Sequence, residues 1–215
     1  YKALKLHTWS PPYGPDPRRD VAACAAVRER VGPDIHLMLD SYHYYSRMDA
    51  LYIGRALEEL DYHWFEEPMD ERSMSSYQWL CEQLDIPVVG PETMAGMFYT
   101  RAEWIVNKAA DISRYDVNLA GLTPMVKAVH LCEAFNVALE VHGGGHGNLH
   151  MLGAMGIPGE YYERGLLHPQ YDYEAAQPWL ATRIDDLDAE GKVHLPQGAG
   201  LGYDLDWEFI RRNAL

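Results

Sequence analysis

Short apolar runs of strand length alternate with longer amphipathic stretches along nearly the whole chain, and this alternation restricts the fold more than any other feature. Tyr1 to His7 reads as a strand. Asp16 to Val31 reads as the helix after it, with Pro12, Pro15 and Asp16 ahead of it and Gly32-Pro33 to stop it. Ile35 to Asp40 is the next strand, and Arg47 to Leu60 a helix whose apolar positions recur at helical spacing. Tyr62 to Glu66, Pro87 to Gly90, Asp111 to Tyr115, Val137 to Val141 and Tyr161 to Glu163 continue the series, which makes seven strands separated by helix-length stretches. Such alternation predicts parallel β/α units, with the sheet covered by helices. An open doubly wound sheet is the rival, but no glycine-rich phosphate loop follows the first strand. Gly143-Gly144-Gly145 lacks the GxGxxG spacing and the acidic residue expected about 20 residues later. A single α/β barrel of the TIM type is the economical fold. It covers residues 1–195, and a Pro/Gly-rich stretch from Pro196 opens a C-terminal segment, 196–215.

At 215 residues, 47% hydrophobic and 23% charged, the chain is long enough for one sizeable core. A net charge of -14 with 18 Lys+Arg leaves no basic stripe for phosphates, which argues against nucleic acid and anionic membranes as partners. No stretch approaches the ~20 uninterrupted apolar residues that cross a bilayer. Cys24, Cys81 and Cys132 lie far apart with no CxxC pair, and read as small core residues in a reducing, cytoplasmic setting. The chain opens at Tyr1 within a strand and without Met, so it reads as a segment of a longer polypeptide.

In a barrel the loops leaving the C-terminal strand ends form the active face. Asp40 ends Ile-His-Leu-Met-Leu-Asp, Glu66 ends Tyr-His-Trp-Phe-Glu, and Glu92 follows Pro-Val-Val-Gly-Pro; both intervals, 66 − 40 and 92 − 66, are 26 residues. Three carboxylates brought together on consecutive strand ends repel one another and call for a cation. A hard divalent ion such as Mg2+ suits all-oxygen ligation. The bland alternative is three solvated loop acids. Glu67 competes with Glu66, but adjacent strand residues face opposite sides. Lys5 and His7 share one face of the first strand, and two cations side by side next to a metal are expected to lower the lysine towards neutrality, as a lysine base requires. His142 ends Val-Ala-Leu-Glu-Val and Asp116 lies one unit earlier, so a carboxylate can hold the histidine's tautomer. Trp9, His43, Tyr44 and His146 sit just past strand ends, where they can contact substrate hydroxyls or simply pack.

Lys5-Leu6-His7, Asp40, Glu66-Glu67-Pro68, Gly90-Pro91-Glu92, Asp116 with Ala120-Gly121-Leu122-Thr123, His142 and Glu163 together resemble the barrel of mandelate racemase-like enzymes of the enolase superfamily. The resemblance implies a (β/α)7β barrel whose first strand and N-terminal α+β capping domain lie outside this chain. It also implies Asp40, Glu66 and Glu92 as magnesium ligands, Asp116 with His142 as a catalytic dyad, and Glu163 as the acid beside the developing enolate. The second-strand motif of that family is Lys-x-Lys; here it is Lys5-x-His7, which leaves the base on that side open.

The implied chemistry is removal of the proton α to a sugar-acid carboxylate, with the enediolate stabilised by the ion. Loss of the β-hydroxyl then makes a dehydratase. Loss of a lactone ring oxygen makes a cycloisomerase, to which Lys-Leu-His-Thr-Trp and Tyr-Glu-Arg-Gly-Leu-Leu-His-Pro are similar. Return of the proton to the other face makes a racemase or epimerase. Dehydration ranks first because Asp116 completes the dyad. The partner expected is a small sugar acid or its lactone, and the full-length enzyme is expected to be a homo-oligomer by resemblance. A zinc hydrolase, prompted by 10 histidines, would want clustered His ligands that are missing here, and a non-catalytic binding module would have lost Lys5, Asp116 or His142.

Overall fold

A computed structural model describes residues 1–8, 14–156, 159, 161–165 and 177–214. Among them six parallel strands form one sheet in sequence order: β1 (Ala3–His7), β2 (His36–Asp40), β3 (Trp64–Glu66), β4 (Val88–Val89), β5 (Ile112–Tyr115) and β6 (Ala138–Val141). Helices α1 (Pro17–Val31), α2 (Arg47–Glu59), α3 (Met74–Gln83), α4 (Met97–Val106), α5 (Val117–Ala120), α6 (Leu122–Phe135) and α7 (His146–Ala154) follow the strands, and α8 (Trp207–Asn213) ends the described chain. Capping side chains fix several helix starts. Asp16 accepts from the Arg19 amide at 3.1 Å with Pro17 in the first turn, and Ser46 accepts from the Asp49 amide at 3.2 Å. At its other end α1 stops on Gly32, whose φ of 79 suits a residue without Cβ.

Alternation along the strands sorts the side chains onto two faces. Leu37, Leu39, Phe65 and Val88 pack outwards against Cys24, Ile53, Leu57 and Leu80 of the helices, and Leu139 and Val141 against Met125 and Cys132. Met38, Trp64 and Val89 form a smaller cluster on the inner face with Ala3, Ile112 and Tyr161. In the β1–β2–β3 register His7 is opposite Asp40, and Asp40 opposite Glu66. This places one polar layer at the C-terminal ends.

The expected seventh strand, Tyr161 to Glu163, is not a strand. It runs as irregular chain with its polar groups committed to side-chain bonds. The Gly143 amide just past β6 donates to Glu163 Oε2 at 2.6 Å instead of to a neighbouring backbone carbonyl. Tyr161 packs beside His36 and Trp64, and Glu163 reaches Lys5 of β1, so the curled sheet brings its last part back to its first. Further on, the Leu180–Leu205 antiparallel bridge and the Tyr203 hydroxyl, which accepts from the His146 amide at 3.2 Å, lay the C-terminal segment on α7. No described helix is long and apolar enough to cross a membrane.

Candidate active site

At the C-terminal strand ends the inner-face charges form one continuous network. Lys5 Nζ lies 3.3 Å from Asp40 Oδ2, 3.0 Å from Glu66 Oε2 and 2.7 Å from Glu163 Oε1. His7 Nε2 is 3.4 Å from Asp40 Oδ2. Arg114, fully buried on β5, completes the set: its Nε is 2.6 Å from Glu66 Oε1 and 3.6 Å from Glu92 Oε2, and its Nη2 meets Glu163 Oε1. The 2.6 Å approach is a charge contact whose N–H is not aligned for a hydrogen bond, so Arg114 Nε and Glu66 Oε1 both lack a hydrogen-bond partner among the described residues. Sequence reasoning passed over Arg114. Its signal was the same two-residue spacing from Asp116 that relates Lys5 to His7.

The balance of these charges sets the protonation of each group. Burial pushes Asp40 up, with repulsion from Glu66, beyond what Lys5 and His7 recover. Burial likewise raises Glu92 to about 7, against the pull of His142. For Glu66 and Glu163 burial is outweighed by Arg114 and Lys5, and both are held below the usual carboxylate range. Burial and Arg114 act to lower Lys5, but Glu66, Glu163 and Asp40 outweigh them and hold it above its ordinary value. The expected depression of Lys5 is therefore not produced by the chain's own charges. Its neighbours are mainly carboxylates, and His7 turns to Asp40.

Asp116 and His142 form the second half of the site. They follow the paired residues Tyr115 and Val141 at the ends of β5 and β6, with Asp116 Oδ2 3.1 Å from His142 Nδ1. The other histidine nitrogen, Nε2, lies 3.4 Å from Glu92 Oε1, so the dyad adjoins the acidic layer. Burial lowers His142, but Asp116 and then Glu92 raise it above its ordinary value; Asp116 is drawn down, against its burial, by His142, Asn148 and the Asn118 amide.

Asp40, Glu66 and Glu92 share this layer but are not drawn within 4.8 Å of one another as a trio; Lys5 links the first two and Arg114 the last two. The donor set nonetheless suits a hard divalent cation. It is all oxygen, and Glu66 Oε1 and Glu92 Oε2 are buried without hydrogen-bond partners among the described residues. Four carboxylates (Asp40, Glu66, Glu92, Glu163) also face two fixed cations (Lys5, Arg114), an excess that one divalent ion neutralises. Glu67 points elsewhere. With φ 44 it joins His43 (3.3 Å) and Glu71, ligand atoms within 4.8 Å of one another, and burial followed by Glu71 pushes it up to about 11. That group is internally bonded: the Glu92 amide donates to Glu67 and Glu71, and the Thr93 hydroxyl to Glu71.

Of the proposed substrate contacts, His43 belongs to that neighbouring group, 3.2 Å from Thr93 Oγ1. Tyr44 is exposed beside Tyr42. His146 is buried, stacked on Tyr203 at 4.4 Å with Nε2 3.1 Å from the Ile184 carbonyl oxygen. Trp9 lies outside the described residues.

A curled parallel β/α sheet with acids, a lysine and a carboxylate-held histidine at its C-terminal strand ends has the architecture of a barrel enzyme's catalytic domain. The family is specific: the chain belongs to the enolase C-terminal domain-like family, whose model matches residues 1–209. A crystal structure of D-glucarate dehydratase from Agrobacterium tumefaciens, complexed with magnesium, is 53% identical, with a TM-score of 0.94 over 99% of this chain and 56% of that one. Arabinonate dehydratase of Saccharolobus solfataricus is 33% identical over 65% of this chain and 39% of its own length. D-galactarolactone cycloisomerase of Agrobacterium fabrum is 28% identical over 87% of this chain and 51% of its own length. The chain thus spans about half the length of such relatives.

Proposed function

We propose that the protein containing this chain is a magnesium-dependent sugar-acid dehydratase. The observation that carries this reading is the His142–Asp116 pair, 3.1 Å apart, set against the Lys5-bearing acidic layer through Glu92. Asp40, Glu66 and Glu92 would hold Mg2+, whose chemistry at such a site is Lewis acidity towards a carboxylate oxygen. With Nδ1 turned to Asp116, His142 directs Nε2 towards the acidic layer, 3.4 Å from Glu92 Oε1, and there it takes the α-proton of a bound substrate. Lys5, engaged with three carboxylates within 3.3 Å, stands as a cation beside the substrate carboxylate rather than as the base. Glu163 fixes Lys5 and Arg114 in that role. The proton taken up by His142 passes to the departing β-hydroxyl, which leaves as water, and the enol so formed tautomerises to a 2-oxo-3-deoxy acid.

D-glucarate is the first substrate to test, given the 53% identity to a D-glucarate dehydratase. A lactone cycloisomerase is the second reading, because the cycloisomerase relative aligns over 87% of the chain. Full-length protein incubated with Mg2+ and a panel of acid sugars should release a 2-oxo-3-deoxy acid from at least one. Turnover of lactones alone would favour the second reading, and turnover of neither class would overturn both.

A further inference from the structure

Helix α7 carries one fully buried amide, Asn148, under the ends of β5 and β6. Its Oδ1 accepts from the Val117 amide at 2.9 Å. Its Nδ2 lies 2.9 Å from Asp116 Oδ1 and 2.7 Å from the His142 carbonyl oxygen, with the Gly143 and Gly144 carbonyls at 3.4 and 3.3 Å. The partners dictate the amide's orientation, since a backbone N–H faces one end and only acceptors face the other. Both N–H groups therefore serve the two residues of the dyad, one bonding to the Asp116 carboxylate and the other to the backbone of His142.

We propose that Asn148 is a positioning residue for the Asp116–His142 pair. Asp116 presents Oδ2 to His142 Nδ1 at 3.1 Å while Oδ1 is held by Asn148 and by the Asn118 amide at 2.7 Å, which fixes the rotation of the carboxylate about its Cβ–Cγ bond. The bond to the His142 carbonyl fixes the backbone from which the imidazole projects, just before Gly143, whose φ of 72 turns the chain out of the strand. One side chain thus sets both the acceptor and the ring that faces it. Without it the carboxylate keeps only the Asn118 amide on Oδ1 and the His142 carbonyl loses its bond, so His142 is less strictly confined to the tautomer with its proton on Nδ1 and Nε2 unprotonated.

The kinetic part of the test rests on the dehydratase reading; the spectroscopic part does not. In full-length protein with 15N-labelled histidine, and with His142→Asn to assign the signal, wild-type His142 should show one tautomer protonated at Nδ1. Asn148→Leu, close in volume but unable to donate, should show a mixture, as should Asn148→Ser, which serves if the leucine variant does not fold. On the substrate identified by the sugar-acid panel, kcat should fall roughly 10–100-fold with KM moved less than about threefold. In an Asp116→Asn background the same substitution should add little, because the two residues act as one unit. A folded variant with the wild-type tautomer, or losses that multiply in the double variant, would overturn the proposal. If no sugar acid is turned over, the dehydratase reading fails while the tautomer result still decides the role of Asn148.

Discussion

Replacing Arg114 by Met keeps much of the volume and removes the guanidinium from beneath three carboxylates. Arg114 is 0% exposed, 2.6 Å from Glu66 and 3.6 Å from Glu92. At an effective dielectric of about 20 these separations correspond to attractions of roughly 6 and 5 kcal/mol. Desolvation of the buried guanidinium and carboxylates opposes this with several kcal/mol per ion. The net cost of breaking the pair by removing one partner is then about 3–5 kcal/mol, because Glu66 and Glu163 are left buried with Lys5 as their shared cation and Glu92 loses its guanidinium contact. Urea unfolding of the full-length protein at neutral pH should show this as a lower midpoint with an unchanged slope. A second substitution, Glu163→Gln, should recover part of the loss, since it removes one of the stranded charges. A loss under about 1 kcal/mol for Arg114→Met, the size of an exposed pair, would refute the reasoning that this guanidinium balances the acidic layer.

Asp116 is held below its ordinary value, so its contribution to stability is present above the unfolded carboxylate range, near pH 4, and is lost as pH falls through its folded value. Wild type should therefore exceed Asp116→Asn in stability at pH 6, and the gap should close in acid; a gap that widens as pH falls would contradict this. Phe65, fully buried between β3 and the helices, should cost about 3–5 kcal/mol on truncation to Ala, read by the same urea titration, with little change for the exposed Val106→Ala.

The periodic features of the chain were readable before its structure. Asp16, Pro17 and Gly32 bound α1 because capping is chemistry local to a few residues, and equal spacing put Asp40 and Glu66 at one register level because each β/α unit advances the chain by one strand. Groups whose meaning depends on distant partners were harder to read. Arg114 shares a face with Asp116, yet only the fold shows Glu66, Glu92 and Glu163 around it. Asn148 sits in an unremarkable helical stretch 32 residues from Asp116, and nothing local points to their contact. Tyr161 to Glu163 had the composition of a strand, but the Glu163 carboxylate takes the Gly143 amide that a ladder would use. The surroundings of Lys5 were hidden for a similar reason: its sequence neighbour is a histidine, whereas its spatial neighbours are three acids.

If His142, held by Asp116, performs the proton transfer while other residues hold the metal, removing its imidazole should stop turnover and spare metal binding. Full-length His142→Asn should be compared with wild type for D-glucarate turnover with Mg2+ in D2O, and for Mg2+ binding by calorimetry. The variant should form no 2-oxo-3-deoxy product and incorporate no deuterium at the substrate's α-carbon, while binding Mg2+ about as wild type does, because Asp40, Glu66 and Glu92 are intact. Wild-type turnover by His142→Asn would contradict it, as would α-deuterium exchange that persists without the imidazole and assigns the abstraction to Lys5.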